Sequence, residues 1–88
     1  MVPVVMSLLT IRRANPGDDV ALRALATVDS APPLSGDVLV AHLDEAVVAA
    51  ISLTDGRSIA DPFRPSADTV EILRMRRRQE QRRRPVAA

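Results

Sequence analysis

The sequence contains no cysteine, so disulfide bonds and thiolate metal sites are excluded. It also lacks tyrosine and tryptophan and has one phenylalanine, Phe63, so it offers no aromatic platform for stacking single-stranded bases. The only histidine, His42, has no spaced partner for a metal cluster or a catalytic triad, and we expect it to be a structural residue in a strand. Phosphate-binding glycine loops, dinucleotide fingerprints and zinc-ligand spacings are missing too. These absences argue against an autonomous enzyme.

Long hydrophobic runs are also missing. The apolar start, residues 1–11, has no basic residue before Arg12 and is far shorter than the roughly 20 residues that a membrane-spanning helix needs. We therefore expect neither a signal peptide nor a transmembrane segment, and a cytoplasmic location. The 88 residues have room for one domain, and a composition that is 47% hydrophobic and 26% charged favours a folded chain over a disordered one.

Lysine is absent, and all twelve basic residues are arginines with an uneven distribution. Residues 1–73 carry 5 arginines against 10 acidic residues, whereas residues 74–88 carry 7 arginines against one acid, Glu80. Such asymmetry is typical of an interaction tail that binds nucleic acid phosphates, an acidic protein or an anionic membrane surface. A solvated terminus, or a tail neutralised by the acidic body of the same chain, is an equal alternative. The predicted anion-binding residues are Arg74, Arg76, Arg77, Arg78, Arg82, Arg83 and Arg84. We place a folded domain over residues 1–75 and a helical extension or disordered tail over 76–88.

The first half of the domain predicts a strand followed by a helix. Apolar and polar residues alternate over residues 7–14, with the period of two that a half-buried strand shows. Asn15 is a good N-cap, Pro16 suits the first helical position, and acidic residues follow in the first turn. The helix is expected to end near Asp29, ahead of the Pro32-Pro33 pair.

Two β-rich runs, residues 37–43 and 46–53, predict a hairpin in which Leu43 pairs with Ala46. With unbroken alternation, both faces of the hairpin are apolar. One face then holds Val38, Val40, His42, Val47, Ala49 and Ile51, and the other holds Leu39, Ala41, Leu43, Ala46, Val48 and Ala50. We therefore expect the sheet to be covered on both sides, which one helix alone cannot achieve.

The second half predicts a further strand and a further helix. The segment 54–57, Thr-Asp-Gly-Arg, predicts a type I′ turn, because Asp55 and Gly56 tolerate the positive φ that both central positions need. A short strand over 57–61 follows, and a helix should begin at about Ala67 with Ser66 as its N-cap. The predicted fold class is α+β, with a small, mainly antiparallel four-stranded sheet in the order β-α-β-β-β-α.

This element order, opening with residues 10–14 (Thr-Ile-Arg-Arg-Ala) and a proline-started acidic helix, resembles the N-terminal half of a GNAT-type N-acetyltransferase, in a truncated or degenerate form. In that family the fourth strand leads into a motif Arg/Gln-x-x-Gly-x-Gly/Ala, whose backbone N–H groups bind the pyrophosphate of acetyl-CoA. The matching segment begins at Arg64, and the resemblance implies Arg64, Ser66 and Ala67 as cofactor-binding residues. Ala67 and Thr69 occupy the two glycine positions of the motif.

Three functional hypotheses follow from these patterns. The first is a non-catalytic, GNAT-like interaction module that self-associates as a homodimer or docks on a protein partner, with no cofactor and no catalytic residue. The second is an acetyltransferase subunit that binds acetyl-CoA through Arg64 and the start of the second helix. The third is an adaptor whose arginine-rich tail binds an acidic protein or, without sequence specificity, a nucleic acid.

Overall fold

The computed structural model describes residues 9–34, 36–44, 46–63 and 67–83. The strands are β1 (Leu9–Arg13), β2 (Val38–Leu43), β3 (Ala46–Ser52) and β4 (Ser58–Ala60), and the helices are α1 (Asp19–Val28) and α2 (Ala67–Arg83). The element order is the predicted one, and the α+β class with two helices is confirmed. The start of the first predicted strand, residues 7 and 8, lies outside the described residues.

The four strands form one antiparallel sheet in the order β1-β2-β3-β4. Each strand therefore pairs with its neighbour in the sequence. Leu43 lies opposite Ala46, as predicted for the β2–β3 hairpin, and Ile11 lies opposite Ala41 across β1 and β2. This arrangement puts β1 and β4 at the two edges of the sheet.

A hydrogen-bonded cap starts the first helix. The Asn15 side chain accepts a hydrogen bond from the Gly17 amide at 2.9 Å, and the Asn15 amide donates to Asp18 Oδ2 at 2.7 Å. Residues Pro16–Asp18 form a 3₁₀ turn, so α1 itself begins at Asp19. The Arg12 guanidinium donates to both oxygens of the buried Asp18 carboxylate, at 2.7 and 2.8 Å. The hydrogen bonds from Arg12 hold the pKa of Asp18 well below its ordinary value, and the hydrogen bond from the Asn15 amide adds a smaller effect in the same direction.

This lowered pKa predicts a pH-dependent contribution of Asp18 to stability. The ionised carboxylate stabilises the fold above its unfolded pKa of about 3.9, and the contribution is lost as the pH falls towards the lower folded-state pKa. We expect Asp18→Asn to lower the melting temperature at neutral pH, and the difference from the unchanged protein to shrink below about pH 4. Thermal melts of both proteins across this range measure the effect.

The neighbouring exposed residue supplies the control for this experiment. Asp19 lies in the first turn of α1 and makes no ion pair with another described residue. Asp19→Asn removes the same charge, and we expect a smaller change in melting temperature at neutral pH. A difference between Asp18→Asn and the unchanged protein that stays constant down to about pH 3 would contradict the assigned network.

A β-bulge interrupts the hairpin of β2 and β3. His42 lies opposite Val47, but Ala41 lies opposite Ala49, so Val48 is an extra residue on β3. Because side chains alternate with a period of two, one extra residue turns all later side chains of β3 to the other face. The unbroken alternation predicted from the sequence is therefore wrong beyond this point.

Each face of the sheet packs against one helix. The buried residues on the α1 face are Leu22, Leu25, Ala26, Val38, Val40, Ala50 and Ile59, and those on the α2 face are Leu39, Ala41, Ala49, Ile51, Leu53 and Leu73. A sheet covered on both sides was predicted, and this is what the structure has. Because of the bulge, Ala49, Ala50 and Ile51 lie on the faces opposite to the predicted ones.

The β3–β4 turn is not the predicted type I′. Gly56 has a φ of 77°, but Asp55 does not have the positive φ that this type also requires. Ser52, which is 1% exposed, organises the turn instead. Its carbonyl oxygen accepts the Gly56 amide at 3.0 Å, and its hydroxyl oxygen accepts the amides of Thr54 and Asp55 at 3.2 and 3.3 Å.

The outer edge of β4 is covered by the segment that follows α1. The Asp29 carboxylate accepts the outward-pointing Ala60 amide at 3.1 Å. The Arg57 guanidinium donates to the carbonyl oxygens of Pro32 and Pro33 at 2.6 and 2.8 Å. A side chain and a proline-containing segment thus take the place of a further strand at this edge.

Helix α2 packs its first half on the sheet. Leu73 is completely buried on the α2 face, where Val70 is partly buried beside it. The helix continues without a break past residue 75, the predicted end of the domain, to Arg83. None of the helices in the described part of the chain combines the length and the apolar content needed to cross a membrane.

Candidate interaction surface

The structure describes only one of the three predicted cofactor-binding residues. Arg64 and Ser66 lie outside the described residues, and Ala67 is the exposed first residue of α2. Asp68 is exposed in the first turn, whereas Thr69 is 7% exposed and packs inward. The Asp68 carboxylate adds negative charge at the helix start, where a phosphate group would need the positive end of the helix dipole.

His42 lies in β2, between β1 and β3. It lies opposite Thr10 on β1 and Val47 on β3. Its Nε2 atom is buried and has no hydrogen-bond partner. Across the described ranges, no cluster of three or more histidine, cysteine or acidic residues is arranged to hold a metal ion.

Two of the predicted anion-binding arginines are bound within the chain. Arg74 forms an ion pair with Glu71, one helical turn earlier. Arg77 Nε donates to the carbonyl oxygen of Leu53 at 3.3 Å. The Arg77 guanidinium also lies over Gly56, where a Cβ atom would come within 2.9 Å of it. Arg77 therefore connects α2 to the β3–β4 turn, whereas Arg74 is paired within α2 itself.

The outer face of α2 consists of Met75, Arg78, Gln79 and Arg82, which line one surface groove of about 360 Å³. Their spacing of three and four residues places them on one side of the helix. Arg78 and Arg82 are exposed, and neither has an ion-pair partner among the residues that the structure describes. Met75 is 53% exposed beside them. Arg76 flanks the outer face. It is also exposed, and it has no ion-pair partner among the described residues.

An ion pair between α2 and β1 fixes the position of the second half of the helix. Arg13 donates to Glu80 Oε2 at 3.0 Å and also lies 4.0 Å from Asp37. This contact holds one side of α2 against the sheet, so the outer face points to solvent. Of the remaining predicted anion-binding residues, Arg83 ends α2 and Arg84 lies outside the described residues.

A second cleft, of about 480 Å³, lies between α2 and the β3–β4 turn. It is lined by Ile51, Asp55, Gly56, Glu71, Arg74, Arg77 and Arg78. A hydrogen bond from the Arg57 amide lowers the pKa of Asp55, which keeps this carboxylate ionised. An anion entering the cleft would meet the Asp55 and Glu71 carboxylates. Of its three arginines, Arg74 and Arg77 already have partners, and Arg78 is shared with the outer face. The outer face of α2 is the better anion-binding surface.

Comparisons with known proteins do not identify a relative. No family model, curated protein or solved structure matches this chain. The resemblance to GNAT acetyltransferases therefore rests on the sequence pattern alone.

Proposed function

We propose that this chain is a non-catalytic interaction module, built like the N-terminal half of a GNAT domain, that docks on an acidic protein through the outer face of α2. One observation carries the proposal. Arg78 and Arg82 are exposed one helical turn apart, and neither has an ion-pair partner among the described residues. Two exposed guanidinium groups on one side of a helix, without ion-pair partners among the described residues, match a pair of carboxylates on a partner.

The outer face is not arranged to stabilise α2. Arg78 and Arg82 lie four residues apart, and like charges at this spacing destabilise a helix by about 0.2–0.5 kcal/mol per pair. Glu71 is paired with Arg74 and Glu80 with Arg13, so neither carboxylate is paired with Arg78 or Arg82. Carboxylates of a partner, placed between Arg78 and Arg82, would relieve this repulsion. Binding and helix stability are therefore coupled at this surface.

The surroundings of the outer face favour a protein over a nucleic acid. Met75 adds exposed apolar area beside the arginines, and both methionine and arginine are enriched in protein interfaces. Residues 1–73 carry 10 carboxylates against 5 arginines, and this charge repels a long polyanion lying along the domain. Phe63 is 87% exposed but lies in the loop after β4, so the outer face has no aromatic ring for stacking bases.

Two labelled peptides of equal length and charge test the proposal by fluorescence anisotropy. One alternates blocks of glutamate and leucine, and the other replaces every leucine by serine. We expect Arg78→Gln to weaken binding of both peptides by about two- to fivefold, as loss of one partly solvated ion pair implies. Met75→Ser should weaken binding of the leucine peptide only, because serine offers no apolar area.

The matched control is Arg23→Gln, which removes an exposed arginine from α1 on the other side of the sheet. It lowers the net charge by the same amount, so it measures the contribution of overall charge alone. Equal losses of affinity for Arg78→Gln and Arg23→Gln would contradict docking at the outer face. Tighter binding of an oligonucleotide than of either peptide at physiological salt would replace the acidic protein by a nucleic acid.

A further inference from the structure

The two edges of the sheet differ in how they are covered. The outer edge of β4 is closed by Asp29, Pro32 and Pro33, as described above. No backbone segment among the described residues pairs with the outer edge of β1. An open edge presents unpaired N–H and C=O groups and is a template for a strand of another chain.

The register of β1 shows which groups are open. The Ala14 amide donates to the carbonyl oxygen of Val38 at 2.8 Å, and the bonded positions of an antiparallel strand alternate. Every second residue before Ala14 therefore bonds to β2, and the residues between them point their backbone groups outward. The outward-pointing positions are Leu9, Ile11 and Arg13. The Arg13 carbonyl oxygen accepts a hydrogen bond from the Arg12 guanidinium at 3.1 Å and keeps one lone pair for a second donor. The side chains of these three residues lie on the α2 face, where Leu9 and Ile11 are only partly buried.

The charges along this edge are neutralised within the chain. Edge strands are commonly protected from association by unpaired charged side chains. Here the Arg12 guanidinium is bound by the Asp18 carboxylate, and Arg13 is paired with Glu80. Two copies of β1 can therefore approach each other without repulsion between unpaired arginines.

We propose that the chain forms a two-fold symmetric homodimer through β1. The two-fold axis passes beside Ile11, whose N–H and C=O groups bond reciprocally to those of Ile11 in the second copy. Leu9 then lies opposite Arg13 of the second copy, and the Leu9 and Ile11 side chains of both copies form one apolar strip. Because the β4 edge is closed, association stops at two copies. This surface is separate from the outer face of α2, so either proposal can fail without the other.

Analytical ultracentrifugation of the unchanged protein gives the first test. We expect a species of twice the 9.5 kDa chain mass that dissociates on dilution. A species of single-chain mass at every concentration up to the millimolar range would overturn the proposal. This measurement needs no substitution and is independent of whether a variant folds.

Cysteine cross-linking locates the interface, since the chain has no cysteine of its own. Residues facing each other in a bonded antiparallel pair have Cα atoms about 5.5 Å apart, within the range that a disulfide spans. We expect Ile11→Cys to form a covalent dimer under mild oxidation at least about ten times faster than Val20→Cys, because dimerisation holds the thiols at millimolar effective concentration. Val20 is 80% exposed on α1 and serves as the matched control.

A mixed experiment guards against misfolding of the Ile11 variant. Leu9→Cys and Arg13→Cys should cross-link to each other faster than either cross-links to itself, since only the mixed pair is opposed across the proposed axis. Equal rates for all pairs, or a dimer in which Val20→Cys reacts as fast as Ile11→Cys, would overturn the β1 interface.

Discussion

Leu73→Ala is expected to destabilise the protein by about 2–5 kcal/mol, as truncation of a buried leucine does when the surrounding core cannot close the cavity. Leu73 is completely buried and packs against the sheet residues of the α2 face. A domain of this size loses roughly 4–8 °C in melting temperature for each kcal/mol, so even the smaller value lowers it clearly. The variant tests whether α2 is an integral layer of the fold. Urea unfolding followed by circular dichroism measures the change.

The neighbouring residue provides the control for Leu73→Ala. Ile72 lies on the same helix but is 38% exposed, so Ile72→Ala removes a side chain of similar size from a more solvated site. We expect less than half of the loss measured for Leu73→Ala. A similar, small loss for both variants would mean that α2 does not cover the sheet.

Gly56→Ala is expected to destabilise the protein by about 1–2 kcal/mol, the strain of a left-handed conformation for a residue with a Cβ atom. Gly56 has a φ of 77°, and an added Cβ would come within 2.9 Å of the Arg77 guanidinium. The substitution therefore strains the turn and also displaces Arg77 from its hydrogen bond to the Leu53 carbonyl. Thermal or urea unfolding measures the sum of the two effects.

A double-mutant cycle separates these two effects. In an Arg77→Ala background, Gly56→Ala retains the backbone strain but no longer meets a guanidinium group, so we expect a smaller loss than in the unchanged protein. Gly36, with a φ of 75°, gives the comparison, because its added Cβ would meet Thr54 rather than Arg77. Full additivity of Gly56→Ala and Arg77→Ala would contradict the placement of the Arg77 guanidinium over Gly56.

Local patterns in the sequence were sufficient to predict the elements of this fold. The Asn15 cap, the start of α2 at Ala67 and the pairing of Leu43 with Ala46 all depend on residues within a few positions of one another. The bulge at Val48 was not predictable in this way, because alanine and valine fill both faces of β3 and no glycine marks the extra residue. This one extra residue therefore puts the side chains of the second half of β3 on the faces opposite to the predicted ones.

The candidate surface was predicted only as a set of arginines. Charge asymmetry identified residues 74–88 as basic, but it did not distinguish arginines that are bound within the chain from those that are not. That distinction depends on distant partners: Arg77 reaches Leu53, and Glu80 reaches Arg13, 67 residues away. Such contacts follow from how α2 lies on the sheet, which no local pattern specifies.

The most direct test of the central claim is a titration of the isotope-labelled protein with the glutamate–leucine peptide, followed in nitrogen–proton correlation spectra. If the peptide docks on the outer face, the amide signals that shift belong to Met75, Arg78, Gln79 and Arg82, with Arg76 at the margin, and those of α1 and β4 stay in place. Shifts centred on Ala67 and the start of α2, with none at Arg78 and Arg82, would contradict this docking and favour a site for an acyl-CoA-like anion instead.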